Sequence, residues 1–325
     1  MQTMQQNPEK IELISEKDLK EKLYENLKQH HLPDYLLYAG SEGAKNWLTL
    51  NGSENFPVAR GLKELLREKV EEIGRFIPSC MNLVSLGVGN GEKERILLEK
   101  LVQKSSPSYY AIDISSKLVD SALETVRDLP VKKTGIVGFI EELGVLKNYW
   151  RPPVLFCILG NTFCNYEPDF ILKLVRENLD SGDIFLFDAH ILPGAEGSEA
   201  AKAASRSVLG TYASRENALF NMYPLIHYGM ALEDFDFELL LSHVDSRIGT
   251  LYRTRKTMNI LKETSLELDS GTVTFKEGDI IGMGFTYKYT YDQIIAFLNI
   301  CEFDVLRTFL SEDRTNVIIL AKKRT

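Results

Sequence analysis

The segment Leu83-Val84-Ser85-Leu86-Gly87-Val88-Gly89-Asn90-Gly91-Glu92-Lys93 runs four mostly apolar residues into three alternate glycines and then into a charged, helix-compatible stretch. Glycine lets a backbone turn tightly and come close to a ligand. Amides at the start of the following helix then face that ligand. A dinucleotide fingerprint needs Gly-x-Gly-x-x-Gly. Here the spacing is Gly-x-Gly-x-Gly, and Glu92 stands where the third fingerprint glycine would be. Gly87, Val88, Gly89 and Gly91 are therefore candidates for a cofactor turn, against the plainer alternative of a strand–helix connection.

Three further positions could complete such a site. The apolar run Tyr109–Asp113 ends in a carboxylate, which at a strand end can accept hydrogen bonds from both hydroxyls of a ribose. Ser115 offers a cap for the following helix, which leaves Asp113 for ligand work. After the next run comes Gly138-Phe139-Ile140-Glu141-Glu142. In a nucleoside-binding sheet this loop meets the base, and an acidic residue there takes a proton from the exocyclic amine. Either glutamate could instead cap the next helix. The run after that delivers Leu159-Gly160-Asn161-Thr162-Phe163-Cys164-Asn165. Asn161 and Asn165 bring both donors and acceptors to the carboxyl end of a strand, where doubly wound sheets bind ligands. Their alternative role is in the turn before a helix opened by Pro168. The alternating-glycine spacing is common in enzymes that use S-adenosyl-L-methionine, which is the expected cofactor.

The elements that must position these residues are short apolar strands alternating with amphipathic helices. The strands are Leu83–Leu86, Tyr109–Asp113, Gly135–Phe139, Val154–Leu159 and Ile184–Asp188. This alternation predicts a parallel sheet covered on both faces. It stops near Ile191. Ala200 to Ala218 reads as helical, and Phe237–Val244, Arg247–Lys256, Ser265–Leu268 and Thr272–Phe275 read as antiparallel strands. The core resumes with a helix through Ile294 and Leu298, and ends in the strands Val305–Phe309 and Val317–Leu320. The expected fold is thus α/β: a Rossmann-like methyltransferase core whose doubly wound, mostly parallel sheet ends in an antiparallel hairpin, plus a second, smaller α+β unit. The core is assigned to 77–190 and 286–325. The second unit, for substrate or lid, is assigned to 1–76 and 191–285. It opens on a helix capped by Ser15 with the stripe Leu19, Leu23 and Leu27, and a further helix starts near Pro57.

Composition narrows the class. The net charge of −8 repels a phosphate backbone, so nucleic acid is not an expected partner. The four cysteines are scattered, the five histidines lack ligand spacing, and no metal site is expected. No leader-like apolar stretch opens the chain and no run approaches a membrane span. A cytoplasmic protein with a small-molecule substrate is the expectation, with oligomeric state open.

The sequence resembles the histidine-specific methyltransferases, which trimethylate the α-amino group of histidine and have relatives acting on other amines. The resemblance rests on Leu86 to Lys93, Asp113 and Leu159 to Asn165. It continues in Tyr38-Ala39-Gly40-Ser41, Phe56-Pro57-Val58-Ala59-Arg60, Ala218 to Asn221 and Gly278 to Tyr289. It implies that Gly87, Lys93 and Asp113 hold the cofactor and that Asn165 holds the amino-acid end of the substrate. Tyr212 is the nearest match to a substrate tyrosine, and Tyr38 and Phe56 fall in matched substrate segments. The departures are specific. Ser85 stands where the family carries an acidic residue, Phe139 follows Gly138 where another is usual, and Phe56 replaces a tyrosine. Gly284 and Thr286 align with a glutamate and a serine that bind imidazole. The resemblance therefore implies N-methylation of a small amine, amino-acid-like but not histidine. A catalytically degenerate fold that binds a nucleoside or a partner, and a protein methyltransferase, are the alternatives.

Overall fold

The computed structural model describes residues 8–54 and 56–325. In chain order the strands are β1 (Glu9–Glu12), β2 (His31–Leu32), β3 (Asn82–Leu86), β4 (Ser108–Asp113), β5 (Lys132–Val137), β6 (Val154–Ile158), β7 (Ile184–His190), β8 (Phe235–Ser246), β9 (Gly249–Ile260), β10 (Thr264–Leu268), β11 (Gly271–Phe275), β12 (Ile280–Lys288), β13 (Phe303–Leu310) and β14 (Asn316–Lys323). The helices are α1 (Glu16–Lys28), α2 (Gly40–Gly52), α3 (Pro57–Phe76), α4 (Glu92–Leu101), α5 (Ser116–Thr125), α6 (Leu143–Leu146), α7 (Pro168–Asn178), α8 (Glu199–Tyr212), α9 (Arg215–His227) and α10 (Tyr291–Ile300).

Two units divide the chain. The first takes the described part of 1–13 with Val58–Ile191 and Tyr291–Thr325. Its eight-stranded sheet has the order β1-β5-β4-β3-β6-β7-β14-β13. The pairs from β1 through β7 are parallel, whereas β14 runs antiparallel to both β7 and β13. The fold class is therefore the expected α/β sheet with an antiparallel end hairpin. Leu83, Val84 and Leu86 of β3 are wholly buried, as are Leu155 and Ile158 of β6, which is why these strands read as continuous apolar runs. In α3, Leu62, Leu65, Leu66 and Ile73 are buried on one stripe. The strand order reverses at β3, with β4 on one side and β6 on the other. Ligands bind beyond the carboxyl ends of the strands at such a switch point.

The second unit is Ile14–Pro57 with Leu192–Thr290. Its main sheet has the order β2-β12-β9-β8, with β10 and β11 as a separate hairpin. The α1 helix opens with a capping box between Ser15 and Asp18 and buries Leu19, Leu23 and Leu27, as expected. A small core joins Leu192, Ala201, Val208 and Tyr252.

These boundaries correct the expected ones. Residues 58–76 belong to the first unit. So does β1, an edge strand of alternating charge parallel to β5. The first unit resumes at Tyr291, because β12 continues the second sheet against β9. The helical stretch expected over 200–218 is two helices, broken where Ser214 caps α9.

Candidate cofactor and acceptor sites

The glycine turn is built as its spacing requires. Gly87, Gly89 and Gly91 have φ of 63°, 56° and 74°, a left-handed conformation that favours glycine. A Cβ on Gly91 would lie 2.8 Å from Ala122 Cα, so this glycine also lets α5 pack close. Val88 N–H donates to Ile112 O at 3.2 Å, which ties the turn to β4.

Asp113, at the end of β4, closes the turn from the neighbouring strand. Its Oδ2 accepts Gly89 N–H at 3.1 Å and its Oδ1 accepts Ser115 N–H at 3.0 Å. The expectation that Ser115 caps α5 is overturned: its side chain makes no capping bond, and Asp113 holds the Ser115 amide instead. Burial pushes the Asp113 carboxyl up to about 6, against the lowering pull of three backbone amides. Each carboxylate oxygen carries two lone pairs, so the amides leave acceptor capacity for a ribose hydroxyl. A glycine turn with left-handed residues and a buried carboxylate one strand away fits an adenosyl cofactor.

The loop after β6 has two residues in the left-handed region, Gly160 at 85° and Asn161 at 65°. Asp188 of β7 holds both, accepting Gly160 N–H at 2.9 Å and Asn161 N–H at 2.7 Å. Asn161 Oδ1 in turn accepts His190 N–H at 2.8 Å. The Asn161 carbonyl is thus committed to the loop. Asn165 ends the 3-10 turn Thr162–Asn165 that follows. Asp188 is buried, and burial raises its carboxyl while Lys93 and the two amides lower it. Sequence reasoning missed Asp188; its only signal is an acidic residue near the end of a run that is otherwise apolar.

Lys93 lies beneath this loop. Its side chain is buried, and a Cβ on Gly160 would meet the Lys93 ammonium at 2.8 Å. Ser85 Oγ donates to Glu94 Oε1 at 2.7 Å, with both residues buried. Burial raises the Glu94 carboxyl, and Lys93 and Ser85 partly offset this. A carboxyl group thus reaches position 85 from α4. Gly138 is packed against Leu13 and Leu146, and Phe139 is half-buried. Glu141 keeps solvent access, while the surrounding protein raises its carboxyl.

The residues expected to read the substrate, Asn165 apart, lie in the second unit. Tyr38 packs edge-on against Phe220 at 5.2 Å, and Phe56 packs edge-on against Tyr212 at 5.9 Å. Lys288 Nζ donates to Tyr212 Oη at 2.8 Å. Thr286 pairs with Thr254 across β12 and β9. At Gly284 a Cβ would fall on the carboxylate of Asp34, which pairs with Lys256 at 2.5 Å. Position 284 is therefore not bare backbone, as its sequence implies: a carboxylate from the 3-10 turn Asp34–Tyr38 covers it. Among the described residues no group of His, Cys, Asp or Glu has the geometry to hold a metal ion, and no helix is long and apolar enough to cross a membrane.

Known proteins resemble parts of this chain. The chain is 35% identical over 96 residues to the 4-dimethylallyltryptophan N-methyltransferase easF of Epichloe festucae var. lolii, covering 29% of this chain and 28% of that one. It is 26% identical over 162 residues to the N-methyltransferase imqF of Aspergillus flavus, covering 47% and 44%. The matches thus span less than half of these relatives. A possible exported protein from Bordetella parapertussis has a solved structure with a TM-score of 0.49 and 13% identity, covering 96% of this chain and 98% of that one. The family described as "Histidine-specific methyltransferase, SAM-dependent" matches residues 16–323, and the chain belongs to that family.

Proposed function

We propose that this protein transfers a methyl group from S-adenosyl-L-methionine to the nitrogen of a small, amino-acid-like amine other than histidine. The observation that carries this is the left-handed glycine turn closed onto buried Asp113 at the switch point of the sheet. When bound, the cofactor supplies an electrophilic methyl carbon on a sulfonium. The residues that bind the amine would hold its nitrogen in line with that carbon, with solvent to take the displaced proton.

The residues of the chain then have to bind and align. Asp113 takes the ribose hydroxyls, Gly87–Gly91 admit the cofactor backbone closely, and Phe139 and Glu141 flank the base. Asn165 holds the amino-acid end of the acceptor, with Asp188 fixing the loop that leads to it. Placement of donor and acceptor in line is the main catalytic contribution in such a displacement. Ser85, the departure that would favour a degenerate fold, is matched by Glu94. Histidine is disfavoured because the carboxylate at Gly284 is already paired with Lys256. An imidazole therefore meets a neutralised partner, and polar sites discriminate strongly when a partner is missing. The net charge of −8, which disfavours nucleic acid, and the N-methyltransferase relatives support a small-molecule acceptor.

The test is incubation of purified protein with cofactor and a panel of aromatic and aliphatic amines, with histidine beside them, followed by mass spectrometry. A mass gain of one or more methyl groups on an amine other than histidine is the expected result. Efficient trimethylation of histidine, or cofactor binding without turnover on any amine, would overturn it.

A further inference from the structure

Glu94 is buried in the first turn of α4, and its Oε1 accepts the Ser85 hydroxyl of β3 at 2.7 Å. Its other oxygen, Oε2, is buried and has no hydrogen-bond partner among the described residues. Burying a carboxyl group is costly unless its charge is matched. The groups packed around it identify the match. The register partners of Ser85 are Ala111 on β4 and Cys157 on β6. Burial pushes the Cys157 thiol and the nearby Tyr109 phenol well up, so both are neutral. Asp188 is a second carboxyl group and opposes the ionisation of Glu94. The cation whose charge both carboxyls feel is Lys93.

Lys93 is thus held from two sides. Asp188 fixes the amides of Gly160 and Asn161, and the Lys93 ammonium lies 2.8 Å from where a Cβ on Gly160 would stand. Glu94, its neighbour in sequence, fastens the first turn of α4 to β3 through Ser85. Ser85 stands where the family carries an acidic residue. A second carboxyl at 85 would meet that of Glu94 in the same dry space, and two such groups so close cannot both ionise. An acid at 94 therefore goes with a small hydroxyl at 85.

We infer that Ser85 and Glu94 are an exchanged pair: one carboxyl group is required between β3 and α4, this chain supplies it from α4, and its work is to position the Lys93 ammonium beneath the Gly160–Asn161 loop. Glu94 is a positioning residue and acts on the cofactor through Lys93. The inference rests on the reading of Lys93 as a cofactor residue and adds the group that holds it in place.

The experiment measures S-adenosylhomocysteine binding by calorimetry, with urea unfolding alongside. The proteins are wild type, Glu94→Ser, Lys93→Met, the double variant Lys93→Met/Glu94→Ser, and the exchanged variant Ser85→Glu/Glu94→Ser. Glu94→Ser should weaken binding by about tenfold, the scale of one lost charge-assisted contact. The exchanged variant should return to within about threefold of wild type, because the carboxyl is back in the same space. In the Lys93→Met background the loss of Glu94 should cost no further affinity, since its effect runs through Lys93. Where Glu94→Ser does not fold, Glu94→Gln takes its place in the cycle; it keeps an acceptor for Ser85 and removes the charge. A carboxyl with only a structural role would lower the urea midpoint and leave the affinity of the folded protein unchanged. That result, an exchanged variant no better than Glu94→Ser, or additive losses with Lys93→Met, overturns the inference. Equal binding by Lys93→Met and wild type overturns the cofactor reading of Lys93 as well.

Discussion

Asp34 and Gly284 share one space: the Asp34 carboxylate lies where the first side-chain carbon of any other residue at 284 would stand. Only glycine allows Asp34 to reach Lys256 across β12. Gly284→Ala should therefore lower stability by about 1–3 kcal/mol, the usual scale of overpacking, read as an earlier urea midpoint at unchanged slope. In the Asp34→Ala background the same substitution should be nearly silent. Additive effects in this double-mutant cycle would show that the two residues do not compete.

Asp113→Ala should weaken S-adenosylhomocysteine binding by roughly 1–3 kcal/mol, as expected for lost charge-assisted hydrogen bonds. Calorimetry showing equal affinity in wild type and variant would remove Asp113 from the site.

The raised Asp113 carboxyl gives two pH dependences of opposite sign. Its value in the fold is about 6, against an unperturbed 3.8, so between these values the folded state binds more protons than the unfolded chain. Its contribution to stability is then fully present below about 4 and falls as pH rises towards 6. Affinity for a ribose diol runs the other way, because the ionised carboxylate is the better acceptor. The Kd for S-adenosylhomocysteine should tighten from pH 5 to pH 7. In Asp113→Asn both slopes should flatten, and an unflattened affinity profile would count against this assignment.

Asp188→Ala leaves the amides of Gly160 and Asn161 without their acceptor. Stability should fall by about 1–3 kcal/mol or more. Under conditions where the variant stays folded, KM for the methylated amine should rise more than the Kd for S-adenosylhomocysteine. Equal changes in both would assign Asp188 to the cofactor and not to the loop that carries Asn165.

Lys256→Gln frees the Asp34 carboxylate from its cation. Histidine should become a better acceptor in this variant than in wild type, measured as methylhistidine formed per enzyme under matched conditions. No gain would show that the ion pair is not what disfavours imidazole.

The strands from β3 to β7 were legible because burial on both faces makes them nearly continuous apolar runs. The edge strand β1, Glu-Lys-Ile-Glu, has one apolar residue, and such charged edges are how sheets avoid pairing with strangers. The α2 helix was missed because Gly40, Gly43 and Gly52 argue against a helix. Packing requires one of them: a Cβ on Gly43 would lie 2.6 Å from Leu37 O. Gly282 and Gly284 likewise hid β12, whose pairing with β9 breaks register between Gly282 and Phe285. At the site, Gly87 to Gly91 and Asp113 could be read because each is marked by its own local pattern. Asp34, Asp188 and Lys288 could not, because what they do depends on partners at Gly284, Asn161 and Tyr212. Those partners are far away along the chain.

The two ends of the second unit's longer segment, 192–290, meet each other. Leu192 and Thr290 form a parallel bridge, and Leu192 N–H donates to Tyr289 O at 2.7 Å. The ends of 192–290 are therefore clasped, and the segment is a closed loop whatever lies within it. The entropy of closing such a loop grows only slowly with its length. Lineages could lengthen, shorten or resculpt the interior of this segment, and with it the acceptor they recognise, while the strands that flank it in sequence, β7 and β13, keep their register with β14.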